Sequence, residues 1–136
     1  MLQLVYISTA RAALSAAEHE AILVSSRRNN ARCGVTGLLV VGGRRFLQAL
    51  EGPDSAVLET FARIQADPRH FALVRLTCGP IAETGFGDWS MGFEVGGAPK
   101  PDDDLNRMVE RLVEPLQDRN LRAQFITFAA LHARAA

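Results

Sequence analysis

Residues 35–50 read VTGLLVVGGRRFLQAL. Two largely apolar runs, Val35 to Val41 and Arg45 to Leu50, flank Gly42 and Gly43, a glycine pair suited to the positive backbone angles of a tight hairpin turn. The stretch predicts two antiparallel strands. Side chains alternate along a strand, so Phe46, Gln48 and Leu50 share one face, and the Gln48 amide points the same way as two large apolar groups.

Working outward, Leu2 to Ser8 alternates Leu2, Leu4 and Tyr6 on one face with Gln3, Val5 and Ile7 on the other, the pattern of a central strand covered on both sides. Ser15 followed by Glu18 is a capping-box pattern and predicts a helix running towards Asn30. Pro53 and Asp54 open a second helix with Val57, Phe61 and Ile64 at helical spacing. Pro68 ends it by forcing Asp67 out of helical geometry. Phe71 to Cys78 and Trp89 to Val95 read as further strands. The order is that of an α+β, ferredoxin-like βαββαββ domain with two helices on one face of the sheet. Gly96 to Pro101 breaks the pattern. Beyond it, Leu105, Met108, Val109 and Leu112, then Leu121, Phe125 and Phe128, predict a C-terminal helical hairpin that covers the open sheet face or supplies a dimer contact. Residues 1–95 are expected to form the ferredoxin-like domain, with 96–136 as linker and helices of the same compact unit.

Composition narrows the function classes. The 136 residues are 48% hydrophobic and 22% charged, with 15 Lys plus Arg against 15 Asp plus Glu. A chain of this length can build one core without metals or disulfides. Zero net charge and scattered cations give no footprint for nucleic acid. Cys33 and Cys78 lack CxxC spacing, so neither a metal site nor a redox pair is signalled, and a cytoplasmic setting is expected. Nothing approaches the roughly 20 apolar residues of a membrane span, and the N-terminus does not resemble a signal peptide.

Polar residues at inward positions point to a site. A buried, unpartnered amide costs about 1–3 kcal/mol, so an inward Gln48 needs partners, and an outward-facing or backbone-bonded glutamine is the ordinary alternative for such a residue taken alone. Ile22, Ser26, Asn29 and Asn30 follow at steps of four, three and four, making the inner face of the first helix increasingly polar towards its end. Asn29 or Asn30 also fits a simple helix cap. Tyr6, the chain's one tyrosine, points inward with Leu2 and Leu4, and a backbone-bonded phenol is an equally ordinary explanation. Together these groups could converge on a slot between helices and sheet, suited to a flat heteroaromatic ligand. Asp67, Arg69 and His70 either complement the end of the second helix or donate to the ligand's far edge. Arg63 and Asp67, four apart, fit a surface ion pair.

These features occur in a recognisable order: Leu4-Val5-Tyr6-Ile7-Ser8, Ser26-Arg27-Arg28-Asn29-Asn30, Gly34-Val35-Thr36-Gly37-Leu38-Leu39, Phe46-Leu47-Gln48-Ala49-Leu50-Glu51-Gly52-Pro53, Asp67-Pro68-Arg69-His70 and Trp89-Ser90-Met91-Gly92-Phe93. The sequence closely resembles the BLUF domain, a blue-light sensor using FAD, over residues 2 to about 95. The remainder is similar to the extra helices of short, stand-alone BLUF proteins that carry no catalytic output domain.

The resemblance implies non-covalent flavin, FAD with FMN as a possible substitute, held between the two helices. It implies that Tyr6 is the photochemical electron and proton donor and that Gln48 is the switch beside flavin N5 and the C4 carbonyl. Asn30 would meet the C4 carbonyl and N3 edge. Arg69, His70 and Asp67 would lie near the C2 carbonyl and ribityl side, with Ser26 and Asn29 lining the pocket. Family members often carry His where Asn29 stands. A carboxamide is both donor and acceptor and can reverse or tautomerise when protons move around it. Light would then rearrange hydrogen bonds, giving a slightly red-shifted state that returns thermally.

Trp89 and Met91 would carry the signal along the last strand to the terminal helices, a homo-oligomer (dimer or larger) and an unknown downstream protein partner. The family often has an Arg shortly before its Phe-x-x-Trp segment, whereas Glu83, Thr84 and Gly85 precede Phe86 here. Arg45-Phe46-Leu47-Gln48 is similar to part of the LOV motif, but Arg44 stands where an adduct-forming Cys would be needed. The competing readings are a small flavin-dependent or acylphosphatase-like enzyme on the same fold and a flavin-free interaction module. No GxGxxG loop follows the first strand, and no nucleophile is matched with a His and an acid.

Overall fold

The computed structural model describes residues 1–12, 14–86, 92–95 and 105–132. Its elements are β1 (Leu2–Ala10), α1 (Ala16–Cys33), β2 (Thr36–Gly42), β3 (Arg45–Gly52), α2 (Asp54–Gln65), β4 (His70–Pro80), β5 (Gly92–Val95), α3 (Leu105–Val113) and α4 (Arg119–His132). This is the expected α+β order. The sheet runs β4-β1-β3-β2-β5; β2 and β5 pair in parallel and the other neighbours are antiparallel. β1 and β3 are interior strands, so both their faces are apolar.

The alternation along β1 and β3 divides the core into two layers. Leu4, Tyr6, Phe46 and Leu50 pack with Leu23 of α1 and with Val57 and Phe61 of α2. Val5, Leu47 and Ala49 point the other way and pack with Val109 and Val113 of α3 and with Leu121, Phe125 and Phe128 of α4. The terminal helices therefore cover the second sheet face, the first of the two arrangements expected for them. Gln124 of α4 also donates to Thr77 of β4 at 3.2 Å.

Local chemistry fixes the boundaries. The Ser15 hydroxyl accepts from the Glu18 N–H and the Glu18 carboxylate accepts from the Ser15 N–H, both at 3.1 Å, completing the capping box. These bonds hold the Glu18 carboxyl below its ordinary range. α1 continues past Asn29 and Asn30 to Cys33 and ends on Gly34 in the left-handed conformation. The two asparagines therefore belong to the helix body and are not its cap. The β2–β3 turn uses one glycine of the pair. Gly43 has φ 59°, while Gly42 stays in the ladder opposite Arg45. Arg44 takes the other turn position and donates to the Ala10 and Arg11 carbonyls.

β4 is an irregular edge strand. Its register against β1 shifts twice, and Ala72 within the second irregularity has φ 55°. The expected output residues Trp89 and Met91, and the Gly96–Pro101 break, lie outside the described residues.

Candidate functional site

A cavity of about 170 Å3 opens between α1, α2 and the first face of the sheet. β1 supplies Tyr6, and β3 supplies Phe46 and Gln48. The polar end of α1 supplies Ser26, Asn29 and Asn30. Asp67, Arg69 and His70 enter from the turn between α2 and β4. All eight residues singled out in the sequence for flavin contact thus line one cavity. Each arrives by a simple route: strand parity selects Tyr6 and Gln48, helical spacing selects the α1 residues, and the break at Pro68 turns the chain back across the mouth.

Tyr6 and Gln48 are opposed in the β1–β3 register. They are 3% and 4% exposed, and the Tyr6 hydroxyl donates to Gln48 Oε1. The phenol is therefore bonded to a side chain and not to the backbone carbonyl considered from sequence. Burial, reinforced by the negative charge of Asp67, pushes the Tyr6 hydroxyl well above the usual phenol range. It is held as a proton donor. Phe61 packs against the Tyr6 ring with centroids 5.3 Å apart.

His70 is held on both sides. Nε2 lies 2.6 Å from the Ile64 carbonyl and so donates to it, and Nδ1 lies 2.9 Å from the Ser8 hydroxyl. It meets Tyr6 and Phe46 edge-on. Its ring forms wall, with both nitrogens engaged by the protein. The Asp67 carboxylate accepts from the Arg69 backbone N–H at 2.9 Å and from its guanidinium at 2.5–3.0 Å. These bonds depress the Asp67 carboxyl and raise the Arg69 guanidinium. The Arg63–Asp67 pair expected from spacing does not form: Arg69 occupies the carboxylate, and Arg63 donates to Thr60 Oγ1 at 3.3 Å.

Sequence reasoning missed Ser25, Thr60 and Arg63, all of which line the cavity. The signal for Thr60 was available, because a hydroxyl falls between Val57, Phe61 and Ile64 on the inward stripe of α2. Arg63 follows three residues later and is placed at the mouth by its bond to Thr60.

The donor set fits a flavin ring. Leu39, Phe46, Ile64 and Ile22 offer apolar surface, while carboxamides, hydroxyls and a phenol can meet alternating donors and acceptors on an aromatic edge. The volume is below the roughly 300–1,000 Å3 of a pocket enclosing a whole drug-sized ligand. Among the described residues no cluster of His, Cys, Asp or Glu could hold a metal, and no helix is long and apolar enough to cross a membrane.

Comparison with known proteins agrees with this geometry. Residues 1–92 match the family model described as "BLUF: Sensors of blue-light using FAD". The chain is 35% identical over 89 residues to the photoactivated adenylate cyclase subunit beta of Euglena longa, covering 65% of this chain and 10% of that protein. It thus spans about a tenth of the length of the first curated relatives it matches. Among solved structures, the dark state of BlrB, described as a BLUF protein, superposes with TM-score 0.72 at 34% identity, covering 96% of each chain. BlrP1 of Klebsiella pneumoniae, solved with FMN and cyclic diGMP, superposes with TM-score 0.80 at 26% identity, covering 96% of this chain and 35% of that one.

Proposed function

The chain belongs to the BLUF family of flavin-using blue-light sensors, and from that premise we propose that Tyr6 and Gln48 are its photoactive pair and that the cavity around them holds the ring of FAD. FMN would use the same ring contacts. The observation that carries this reading is the buried hydrogen bond from the Tyr6 phenol to Gln48 Oε1, made inside the one cavity that all eight candidate residues line.

A bound flavin supplies a blue-absorbing ring whose excited state is a strong one-electron oxidant. Tyr6 is an oxidisable group bonded directly to Gln48, and its raised pKa keeps Oη protonated in the dark. When Tyr6 gives up an electron its Oη proton becomes strongly acidic, and the bond to Gln48 Oε1 is the path by which it leaves. With the proton moved onto Oε1, the phenol would no longer donate to it, and the Gln48 carboxamide would turn or tautomerise among its other partners. Return of both the electron and the proton to Tyr6 would regenerate the neutral phenol and, with the carboxamide turned back, the dark arrangement. Asn30, 1% exposed, is rigidly placed on α1 to orient the ring edge. Asn29 and Ser26 line the same wall, Asp67 and Arg69 serve the mouth, and His70 with Phe61 packs the phenol.

A hydrogen bond is worth about 1 kcal/mol net, enough to bias a two-state packing several-fold without unfolding the domain. The output of this domain would therefore be a change in packing. α3 and α4, seated on the opposite sheet face, are where a downstream protein or a second copy of the chain, in the cytoplasm, would read it. Trp89 and Met91 are proposed to take part. The test is reconstitution: protein purified in the dark and offered FAD or FMN should turn yellow, with the released cofactor identified by chromatography. A folded protein that stays colourless with both flavins contradicts the proposal.

A further inference from the structure

The strands that carry Tyr6 and Gln48 carry a second opposed polar pair three residues further along, on the other sheet face. Gln3 faces Glu51 across β1 and β3. Glu51 is 2% exposed, yet its carboxylate accepts only uncharged donors among the described residues. Oε2 accepts from Gln3 Nε2 at 2.7 Å and Oε1 from the Gly85 backbone N–H at 2.6 Å. The same Gln3 nitrogen lies 3.4 Å from Asp118 Oδ2. Asp118 caps α4, its Oδ1 accepting from the Leu121 N–H at 3.0 Å. A continuous chain of hydrogen bonds thus joins the segment after β4 to the N-terminus of α4 through the two photoactive strands.

One atom beside this chain is unsatisfied. Thr36 Oγ1 is buried without a hydrogen-bond partner, and Thr36 is the β2 residue opposed to Glu51 in the β2–β3 register. Opposed residues of antiparallel strands project to the same face with Cβ atoms about 4.5–5.5 Å apart. An orphaned buried hydroxyl next to a buried carboxylate offers that carboxylate an alternative donor.

Resting on the photosensor reading above, we propose that Glu51 is a two-position latch: in the dark it holds the Gly85 N–H, and after illumination it exchanges that bond for the Thr36 hydroxyl, releasing the segment after β4 and loosening the cap of α4. A carboxylate suits the task because its two oxygens accept independently, so Glu51 keeps Gln3 while its other partner changes and, in turning, draws the Gln3 amide from Asp118, at 3.4 Å the longest bond of the chain. Glu51 acts as a positioning residue. It touches neither cavity nor flavin, and it carries the rearrangement of β1 and β3 to the face covered by α3 and α4.

The test is hydrogen exchange of the flavin-loaded protein, dark and under continuous blue light, over residues 81–86 and 119–132. The parent should red-shift in light and exchange faster in both segments. Thr36→Val keeps the shape, removes the alternative donor, and should still red-shift while its light-induced exchange difference falls roughly five-fold, the bias set by one hydrogen bond. Glu51→Gln has one acceptor oxygen in place of two and cannot hold the whole chain of bonds, so its dark exchange should already approach the lit level with the red shift intact. A merely structural role would not shrink the light-induced exchange difference of Thr36→Val while leaving its red shift intact. A red-shifting parent whose exchange difference is absent, or is matched in size by Thr36→Val, overturns the latch alone. A parent that binds flavin without red-shifting overturns the photosensor reading and the latch with it.

Discussion

Tyr6 and Gln48 stand directly opposite one another on β1 and β3, and the phenol donates its hydrogen bond to the carboxamide oxygen at the floor of the cavity. The pairing is a consequence of strand register, so changing either residue alters the pair without altering the fold.

Tyr6→Phe should bind flavin, since the ring still packs on Phe61, but lose the normal photocycle because the transferable proton is gone. Gln48→Leu should bind flavin and form no red-shifted state. Without flavin, Gln48→Leu strips the buried phenol of its acceptor and should cost about 1–3 kcal/mol, much of it recovered when Tyr6→Phe is added. Urea denaturation of the four proteins measures this. A double variant no more stable than the additive sum would show that the two groups do not interact.

Because the chain has one tyrosine, tyrosinate absorbance reports Tyr6 alone. Its pKa is raised in the folded state by burial and by Asp67, so the neutral phenol contributes stability that is fully present below the ordinary value of about 10. That stability is lost as pH rises towards the folded value. Tyrosinate should therefore appear only with alkaline unfolding, followed in parallel by circular dichroism. A midpoint near 10 in a protein still folded would contradict the burial described above.

Asp67 behaves in the opposite sense. Hydrogen bonds from Arg69 depress its carboxyl, so the pair stabilises the fold above the ordinary aspartate value of about 4. The contribution is lost as pH falls through the lower folded value. With the Arg69 side chain half exposed to solvent, the pair is worth less than about 1 kcal/mol. Arg69→Ala should raise the Asp67 titration midpoint seen by NMR while moving the melting temperature little. An unchanged midpoint would mean that the bonds seen between these side chains do not persist in solution.

Ala72 adopts φ 55° inside the irregular part of β4. A left-handed conformation costs an L-residue about 1–2 kcal/mol, whereas glycine's extra unfolded-state freedom costs about 0.4–1 kcal/mol. Ala72→Gly should therefore stabilise the protein by up to about 1.5 kcal/mol. A lower urea midpoint would show that the alanine methyl packs usefully.

Most of the architecture was legible because each signal is local. Alternation in residues 2–8, the Ser15–Glu18 capping box and Pro68 each dictate backbone geometry within a few residues. The inward stripe of α1 revealed Ser26, Asn29 and Asn30 for the same reason. What escaped depends on register or on competition between partners. Gly42 and Gly43 look equivalent in sequence, but the ladder absorbs one of them. Arg63 and Asp67 have ion-pair spacing, but Arg69 is tethered closer. The Gln3–Glu51–Thr36 cluster spans three strands, and no periodicity along one strand announces it.

The central claim is tested most directly by the absorption spectrum of the flavin-loaded protein before, during and after blue illumination, with Gln48→Leu measured alongside. The parent should shift slightly to the red and return completely in the dark, while Gln48→Leu keeps its dark spectrum throughout. A parent spectrum unmoved by light, or a variant that shifts as the parent does, would contradict the account.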